Sequence, residues 1–234
     1  MTVEHIEIAG LAHIPVYTVP NLIIGSGAAG LNCAEHLHEL GQEFAVVTDC
    51  LGAGTSHNAG SDKQTYYKMG VFGDVPDSPL EFARSLFNGG MSHGDTVYVE
   101  ALGSLPEFFH LVRNGVEFPC NRYGAYVGYK TDHDPRQRAT SAGPKTSRQM
   151  VQHSLARLRQ IGADICDGYE VIRLLTGGAG EDQRVVGALA LNLQRLSEPD
   201  EVAATVLWLA SDESSNISGI CVRSNIRAAG NRPL

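Results

Sequence analysis

Gly25, Gly27 and Gly30 stand in G-x-G-x-x-G spacing directly after the apolar run Leu22, Ile23, Ile24. Glycine brings no side chain, so the chemistry here is that of backbone N–H groups brought close to an anion. The spacing gives each glycine a distinct role, in which the first permits a tight turn, the second lets backbone approach a pyrophosphate, and the third lets a helix lie close to the strand. Ser26, Ala28 and Ala29 fill the turn between them. A second position able to do chemistry lies about twenty residues on, where an acidic residue ordinarily holds a ribose hydroxyl. Counting from Gly25, that position falls on Thr48, with Asp49 one residue late. The third is His57, in a loop otherwise made of small and polar residues.

These residues need a strand, a helix and a second strand to position them. Leu22 to Ile24 reads as a strand of a parallel sheet buried on both faces. Over Ala28 to Leu40 the residues Ala29, Cys33, Ala34, Leu37 and Leu40 recur at helical spacing, and Gly41 stands where a helix stops. Phe44 to Val47 is the second strand. This context turns a weak motif into a nucleotide site, against the competing reading of a glycine-rich turn without a ligand, and leaves NAD and FAD both open. Leu51 to Gly70 is too long for a simple crossover connection and reads as a functional loop. It leaves the same sheet edge as the glycine turn and can cover the reactive end of a dinucleotide. His57 is its natural contact, and a solvated histidine is the alternative.

Elsewhere the chain supplies scaffold. Ile6 to Pro20 reads as a flanking strand or arm. Ser78 to Phe87 has an N-cap serine and a proline in its first turn. Thr96 to Asn114 is a second amphipathic helix, in which Pro106 predicts an internal break. Val116 to Gly143 lacks a period and reads as loop with short strands, and Tyr126 and Lys130 form a Y-x-x-x-K pair that Gly124 and Gly128 keep from a helix. Thr146 to Gly162 is a helix, and Ala163 to Cys166 begins another strand. Glu170 to Leu175 and Arg184 to Leu193 are strands around a hairpin loop, Thr176 to Gln183, whose glycine cluster is followed by no helix. Ser197 opens a further helix, Ile220 to Val222 is a short strand, and Arg223 to Leu234 has little to bury.

Composition narrows the function classes. With 18 Lys plus Arg against 26 Asp plus Glu the formal charge is −8, which repels phosphate backbones and excludes a nucleic-acid partner. Five widely spaced cysteines, an odd number without a C-x-x-C pair, fit a reducing cytoplasm and not a disulfide scaffold. No residues stand at metal-ligand spacing, no apolar run reaches membrane-spanning length, and the N-terminus is no secretory signal.

At GSGAAG with the loop after it, and again at GYEVIRLL and RVVGALAL, the chain resembles the N-terminal FAD-binding part of the fumarate reductase and succinate dehydrogenase flavoprotein family, over about residues 20–191. The resemblance implies an α/β fold, a glutathione-reductase-type Rossmann domain, incomplete here and followed by a short helix-strand tail. It implies FAD as cofactor. Gly25, Gly27 and Gly30, with the amides around Ser26, Ala28 and Ala29, would hold the pyrophosphate; Thr48 resembles the hydroxyl residue that family members often carry at the ribose position, with Asp49 as helper. Ser56 and His57 resemble the S-H pair whose histidine is bonded to the flavin in membrane-complex members. Asn58, Ala59 and Gly60 differ from the residues that succeed this pair in the family, while Asn58 and Gly60 still fall within the loop assigned to the flavin. The backbone of Val171 would meet the adenine.

The implied activity is hydride transfer between flavin and a small carboxylate, with an electron-donor subunit as partner. The family's substrate-handling residues lie in a capping domain and later segments, so no catalytic residue is assigned. From about residue 194 to 222, RLSEPDEVAATVLWLASDESSNISG and the strand after it resemble the C-terminal segment of short-chain dehydrogenases/reductases, which use NAD or NADP. The expected division is therefore an FAD-binding domain over 1–192 and a tail over 193–234. Two other readings stand beside the oxidoreductase: a non-enzymatic FAD-binding fragment or inactive chimera, and an NAD(P)-dependent short-chain dehydrogenase resting on the tail alone.

Overall fold

A computed structural model describes residues 1–8, 12–60, 64–71, 76–131, 134–196 and 220–226. The chain divides into two compact units, Met1–Thr55 with Leu155–Leu234, and Ser56–Ser154.

The first unit contains two sheets. Strands β1 (Thr2–Ile8) and β2 (Ala12–Thr18) form an antiparallel pair in register from Thr2 opposite Thr18 to Ile8 opposite Ala12. Next along the chain come β3 (Asn21–Ile24), helix α1 (Ala28–Glu39) and β4 (Phe44–Thr48), the strand-helix-strand unit read from the sequence. Strand β3 pairs with β4 in parallel, which requires a crossover connection, and α1 provides it. All five residues of β4 are buried, because it is the central strand. Leu31 and Ala34 of α1 are fully buried, and α1 contacts both β3 and β4.

In the second unit α2 (Thr55–Asn58) is a single helical turn, begun at the last residue of the first unit, and β5 (Tyr66–Tyr67) is a two-residue strand. Helix α3 (Pro79–Asn88) is capped by Ser78, whose Oγ accepts from the Glu81 N–H at 3.2 Å. Helix α4 (Gly94–Asn114) runs unbroken through Pro106, where an internal break was expected. The missing amide falls on the carbonyl of Leu102, and both residues are exposed, so water can take that acceptor. The opposite face stays anchored by buried Val97, Ala101, Ser104, Phe108 and Leu111.

Strands β6 (Tyr129–Thr131) and β7 (Asp134–Thr140) lie in the segment read as loop with short strands, and order the sheet β5-β7-β6. Phe82, Ala83, Val97 and Ala101 form one core cluster, and Phe108, Leu111, Val116 and Phe118 another. Helix α5 (Thr146–Gln160) comes next, its first half in this unit and its second half in the other.

Back in the first unit, β8 (Asp164–Asp167) completes the parallel sheet β3-β4-β8. Strands β9 (Tyr169–Gly177), β10 (Arg184–Leu196) and β11 (Ile220–Ile226) join β1 and β2 in a five-stranded sheet of order β1-β2-β11-β10-β9. Val47, Tyr169 and Ala190, with Tyr17, Leu22, Cys166 and Val171, form the cluster that binds the two sheets together.

Strand β10 runs through Asn192, whose Nδ2 donates a buried hydrogen bond to the Tyr169 hydroxyl at 2.7 Å. The register then shifts between Asn192 and Leu196. Residues 197–219, which carry most of the likeness to short-chain dehydrogenases, lie outside the described residues. The strand expected at Ile220 to Val222 is present and extends to Ile226, so Arg223 to Ile226, read as part of a tail with little to bury, are paired. β11 is parallel to β10 along its length, and Ile220 to Val222 also pair antiparallel with β2.

Candidate functional site

The parallel strands β3, β4 and β8 bring their carboxyl ends to one edge at Ile24, Thr48 and Asp167, the edge where α/β sheets take ligands. Gly25 continues from β3 with its N–H donating to the Val47 carbonyl at 2.8 Å and φ at +98°, a conformation that excludes most side chains. Gly27 is then the N-cap of α1. No side chain caps this helix end, and its first turn carries no acidic residue.

A Cβ at position 30 would overlap the Gly25 carbonyl oxygen and stand 3.4 Å from Ile23 Cγ2. The helix therefore lies directly on the turn. Such an end, with no side-chain cap and no acidic residue in its first turn, suits a pyrophosphate through the partial positive charge of its first-turn amides.

Thr48 is buried at the end of β4, and its hydroxyl shares a 3.0 Å hydrogen bond with Ser26 Oγ, linking the glycine turn to the strand expected to hold the ribose. Asp49 is exposed; its Oδ1 accepts the Cys50 N–H at 2.8 Å and lies 3.4 Å from the Thr48 hydroxyl. Asp167 stands opposite Thr48 in the sheet and accepts the Leu51 N–H at 2.9 Å, which starts the next loop in a defined direction. The strand expected to begin at Ala163 to Cys166 runs to Asp167, which the sequence reading did not single out. A carboxylate at the ligand edge of a parallel strand was the signal that could have marked it.

Val171 is half-buried in β9 and packs on the Val47, Tyr169 and Ala190 cluster. The register there passes from Leu189 opposite Arg173 to Ala190 opposite Val171, so Ile172 is bulged out beside it. β9 is the edge strand of its sheet.

Thus Gly25, Ser26, Gly27, Ala28, Ala29, Gly30, Thr48, Asp49 and Val171 belong to the first unit, and Ser56, His57, Asn58 and Gly60 to the second. Within the second unit Ser56, His57 and Asn58 lie in the α2 turn. His57 is half-buried, with Nδ1 3.4 Å from Asn58 Oδ1. A Cβ at Gly60 would meet nothing within 4 Å, so no close approach requires glycine there.

Two residues that sequence reasoning did not single out brace this stretch. Arg148 Nε donates to the His57 carbonyl at 3.0 Å. Gln64 Nε2 donates to the Ala59 carbonyl at 2.7 Å, while its Oε1 accepts from both the N–H and the hydroxyl of Ser147, at 2.9 and 3.0 Å. No local pattern marks Arg148, whose partner lies 91 residues away, and Gln64 ties Ala59, five residues before it, to Ser147, 83 residues after it.

Other polar groups of this unit are built into its core. Burial lowers the Lys68 pKa, with Nζ 5.4 Å from the centre of the Phe108 ring, and burial together with Glu107 and Glu100 raises that of Tyr66. Among the described residues no group of His, Cys, Asp and Glu could hold a metal ion, and no helix is long and apolar enough to cross a membrane.

A family model described as an FAD binding domain matches residues 21–217. No curated protein matches the sequence. Among solved structures the chain is similar to E. coli quinol fumarate reductase FrdA, with TM-score 0.65 and 15% identity over 89% of this chain and 31% of that one. Mycobacterium smegmatis Sdh1 gives TM-score 0.63 and 14% identity over 90% of this chain and 33% of that one. The 3-ketosteroid-delta4-(5alpha)-dehydrogenase of Rhodococcus jostii gives 0.58 and 17% over 74% and 42%. At these identities the likeness is one of fold, and the chain spans about a third of the length of the first two.

Proposed function

The chain belongs to the FAD binding domain family, and from that premise we propose that it is the FAD-binding segment of an oxidoreductase of the fumarate reductase and succinate dehydrogenase flavoprotein type, acting on a small carboxylate. The observation that carries this is the uncapped N-terminus of α1, set by Gly25 and Gly30 against the ligand edge of a parallel sheet.

When bound, FAD supplies the hydride-transfer chemistry. The chain's own residues bind and orient. The amides from Ser26 to Gly30 hold the pyrophosphate, and the Thr48 hydroxyl, oriented by Ser26, meets the ribose with Asp49 beside it. The Val171 backbone meets the adenine. Ser56, His57, Asn58 and Gly60 contact the flavin side, with Arg148 and Gln64 keeping that stretch in place. An electron-donating partner subunit is supported by the description of Mycobacterium smegmatis Sdh1 as a complex.

A second reading is FAD binding without turnover, since the site residues named here bind and orient and none is assigned a catalytic role. Purified protein is expected to be yellow or to take up added FAD stoichiometrically, and colourless protein that ignores FAD would overturn these site assignments. Oxidation of reduced viologen dye that depends on fumarate separates the oxidoreductase from the second reading. Colour released by denaturation would rule out a covalent bond to His57.

A further inference from the structure

Helix α4 carries apolar residues on two opposite sides. Val97, Ala101, Phe108 and Leu111 are buried in the unit Ser56–Ser154, while Val99, Leu102, Pro106 and Phe109 lie about 160° round the helix from them at 100° per residue. None of these four is buried: Val99 is 67% exposed, Leu102 47% and Phe109 39%, and Pro106 is exposed as well. A surface helix ordinarily turns polar residues to that side.

The four are spaced by three, four and three residues, and the same rhythm reaches Asp95, four before Val99, and Arg113, four after Phe109, both exposed. Alternating steps of three and four make the seam along which one helix lies on another. All six fall within about 80° of arc, so they form one stripe from the first turn of α4 to its last.

The charged ends say what lies on this stripe. A parallel copy would set Asp95 against Asp95 and Arg113 against Arg113, like charges together. An antiparallel copy, related by a two-fold axis that passes position 104, sets Asp95 against Arg113, Val99 against Phe109 and Leu102 against Pro106, and each of these pairs is centred on that same position. Apolar groups then meet apolar groups, and each carboxylate meets a guanidinium, twice over by symmetry. The dipole of α4 accounts for an acid in its first turn and a base in its last, but not for the exposed apolar residues between them. The Leu102 carbonyl that Pro106 leaves without an amide can keep its water at the edge of so narrow a seam.

We propose that α4 is a self-association surface on which a second copy of this chain lies antiparallel, joined through Val99, Leu102, Pro106 and Phe109 and aligned by the pairs between Asp95 and Arg113. The surface is independent of the oxidoreductase reading. One helix face a side buries less than the roughly 1,200 Å² of a stable interface, so the pair is weak, with a dissociation constant of about 10–100 µM.

Sedimentation equilibrium of the full chain, from about 1 to about 500 µM, should show monomer and dimer exchanging in that range. Leu102→Glu places carboxylates beside the axis and should weaken association by about tenfold or more. Arg113→Asp alone and Asp95→Arg alone should each weaken it by about tenfold, because both end pairs become repulsive. Mixed in equal amounts, these two variants should associate within about threefold of the parent, since a mixed pair again sets acid against base at both ends. Far-UV circular dichroism and the urea midpoint report that each variant is folded. Should Leu102→Glu fail to fold, the mixture carries the test, and should a charge variant fail, Leu102→Glu carries it. Monomer at every concentration, a dimer unchanged by Leu102→Glu, or a mixture no tighter than the separate variants overturns the proposal, and α4 then takes no copy of this chain.

Discussion

Replacing Gly30 with alanine adds one carbon atom at the point where α1 meets the glycine turn. That atom would stand 3.3 Å from the Gly25 carbonyl carbon, inside contact distance of its oxygen, and 3.4 Å from Ile23 Cγ2. Neither side can yield easily. The Gly25 N–H is tied to Val47 at 2.8 Å, and the helix is anchored by Leu31 and Ala34, both at 0% exposure. Restoring an ordinary contact requires α1 to withdraw by about 1 Å, an overpacking strain of about 1–3 kcal/mol.

The same withdrawal carries the first-turn amides away from any phosphate they hold, stretching hydrogen bonds of about 2.9 Å beyond useful length. Losing one such bond to a charged group costs about 1.5–3 kcal/mol, so the FAD dissociation constant should rise by about 10-fold to 100-fold. Titration of the apo protein with FAD, monitored by flavin fluorescence, measures the second effect, and urea unfolding of the apo protein measures the first. A Gly30→Ala protein with unchanged unfolding and an FAD affinity within about threefold of the parent would refute the close-approach reasoning.

Gly103→Ala is expected to act in the opposite direction: this glycine lies inside α4, a Cβ there meets nothing within 4 Å, and the gain of about 0.5–1 kcal/mol should raise the urea midpoint. Thr48→Val keeps the shape but removes the hydroxyl bonded to Ser26, so about 1 kcal/mol of stability and a part of the FAD affinity should be lost, while Thr48→Ser retains both; equal FAD affinity in the valine variant would remove Thr48 from the ribose site.

Burial alone would push the Asp77 pKa up, but hydrogen bonds from Arg138 and from the Gly70 and Ser78 amides, with the Arg138 charge, hold it below its ordinary 3.8. A carboxyl depressed in the folded state contributes stability that is complete above its unfolded pKa and is lost as pH falls through the folded value. Urea midpoints measured from neutral pH downward should therefore fall steeply in acid, and less steeply in Asp77→Asn. Arg138→Met removes the guanidinium that pairs with two buried carboxylates, leaving Asp77 only Arg136 at 4.0 Å, and should cost about 3–5 kcal/mol at neutral pH, a loss too large to miss in the same unfolding curves.

How far the fold could be read in advance depended on the range of the forces involved. The strand, turn, helix and second strand from Asn21 to Thr48 were legible because each announces itself within a few residues, through apolar runs, helical spacing and the one residue type that tolerates φ near +98°. The same holds for α3, whose serine cap and first-turn proline mark its start, and for α5. In the sheet β5-β7-β6, β5 lies in the stretch read as a functional loop, and β6 and β7 lie in the one read as loop with short strands, since the sheet's stability comes from pairing Tyr66 with Thr140 and Tyr129 with Ala139, contacts that no local period records. The extension of β11 to Ile226 escaped for the same reason: a polar stretch becomes a strand when β10 offers it backbone partners.

The candidate site shows the same division. Sequence by itself determined the turn from Gly25 to Gly30 and the hydroxyl at Thr48, because glycine's freedom and the spacing between a strand end and its ligand are local properties. Tertiary structure decided that Ser26 and Thr48 share a hydrogen bond, that Arg148 and Gln64 brace the stretch around His57, and that Asp77 has its cation while one oxygen of Asp134 has no partner. Apart from the bond between Gln64 and Ala59, those pairings join residues far apart in the chain, and only the folded register brings donor and acceptor within reach.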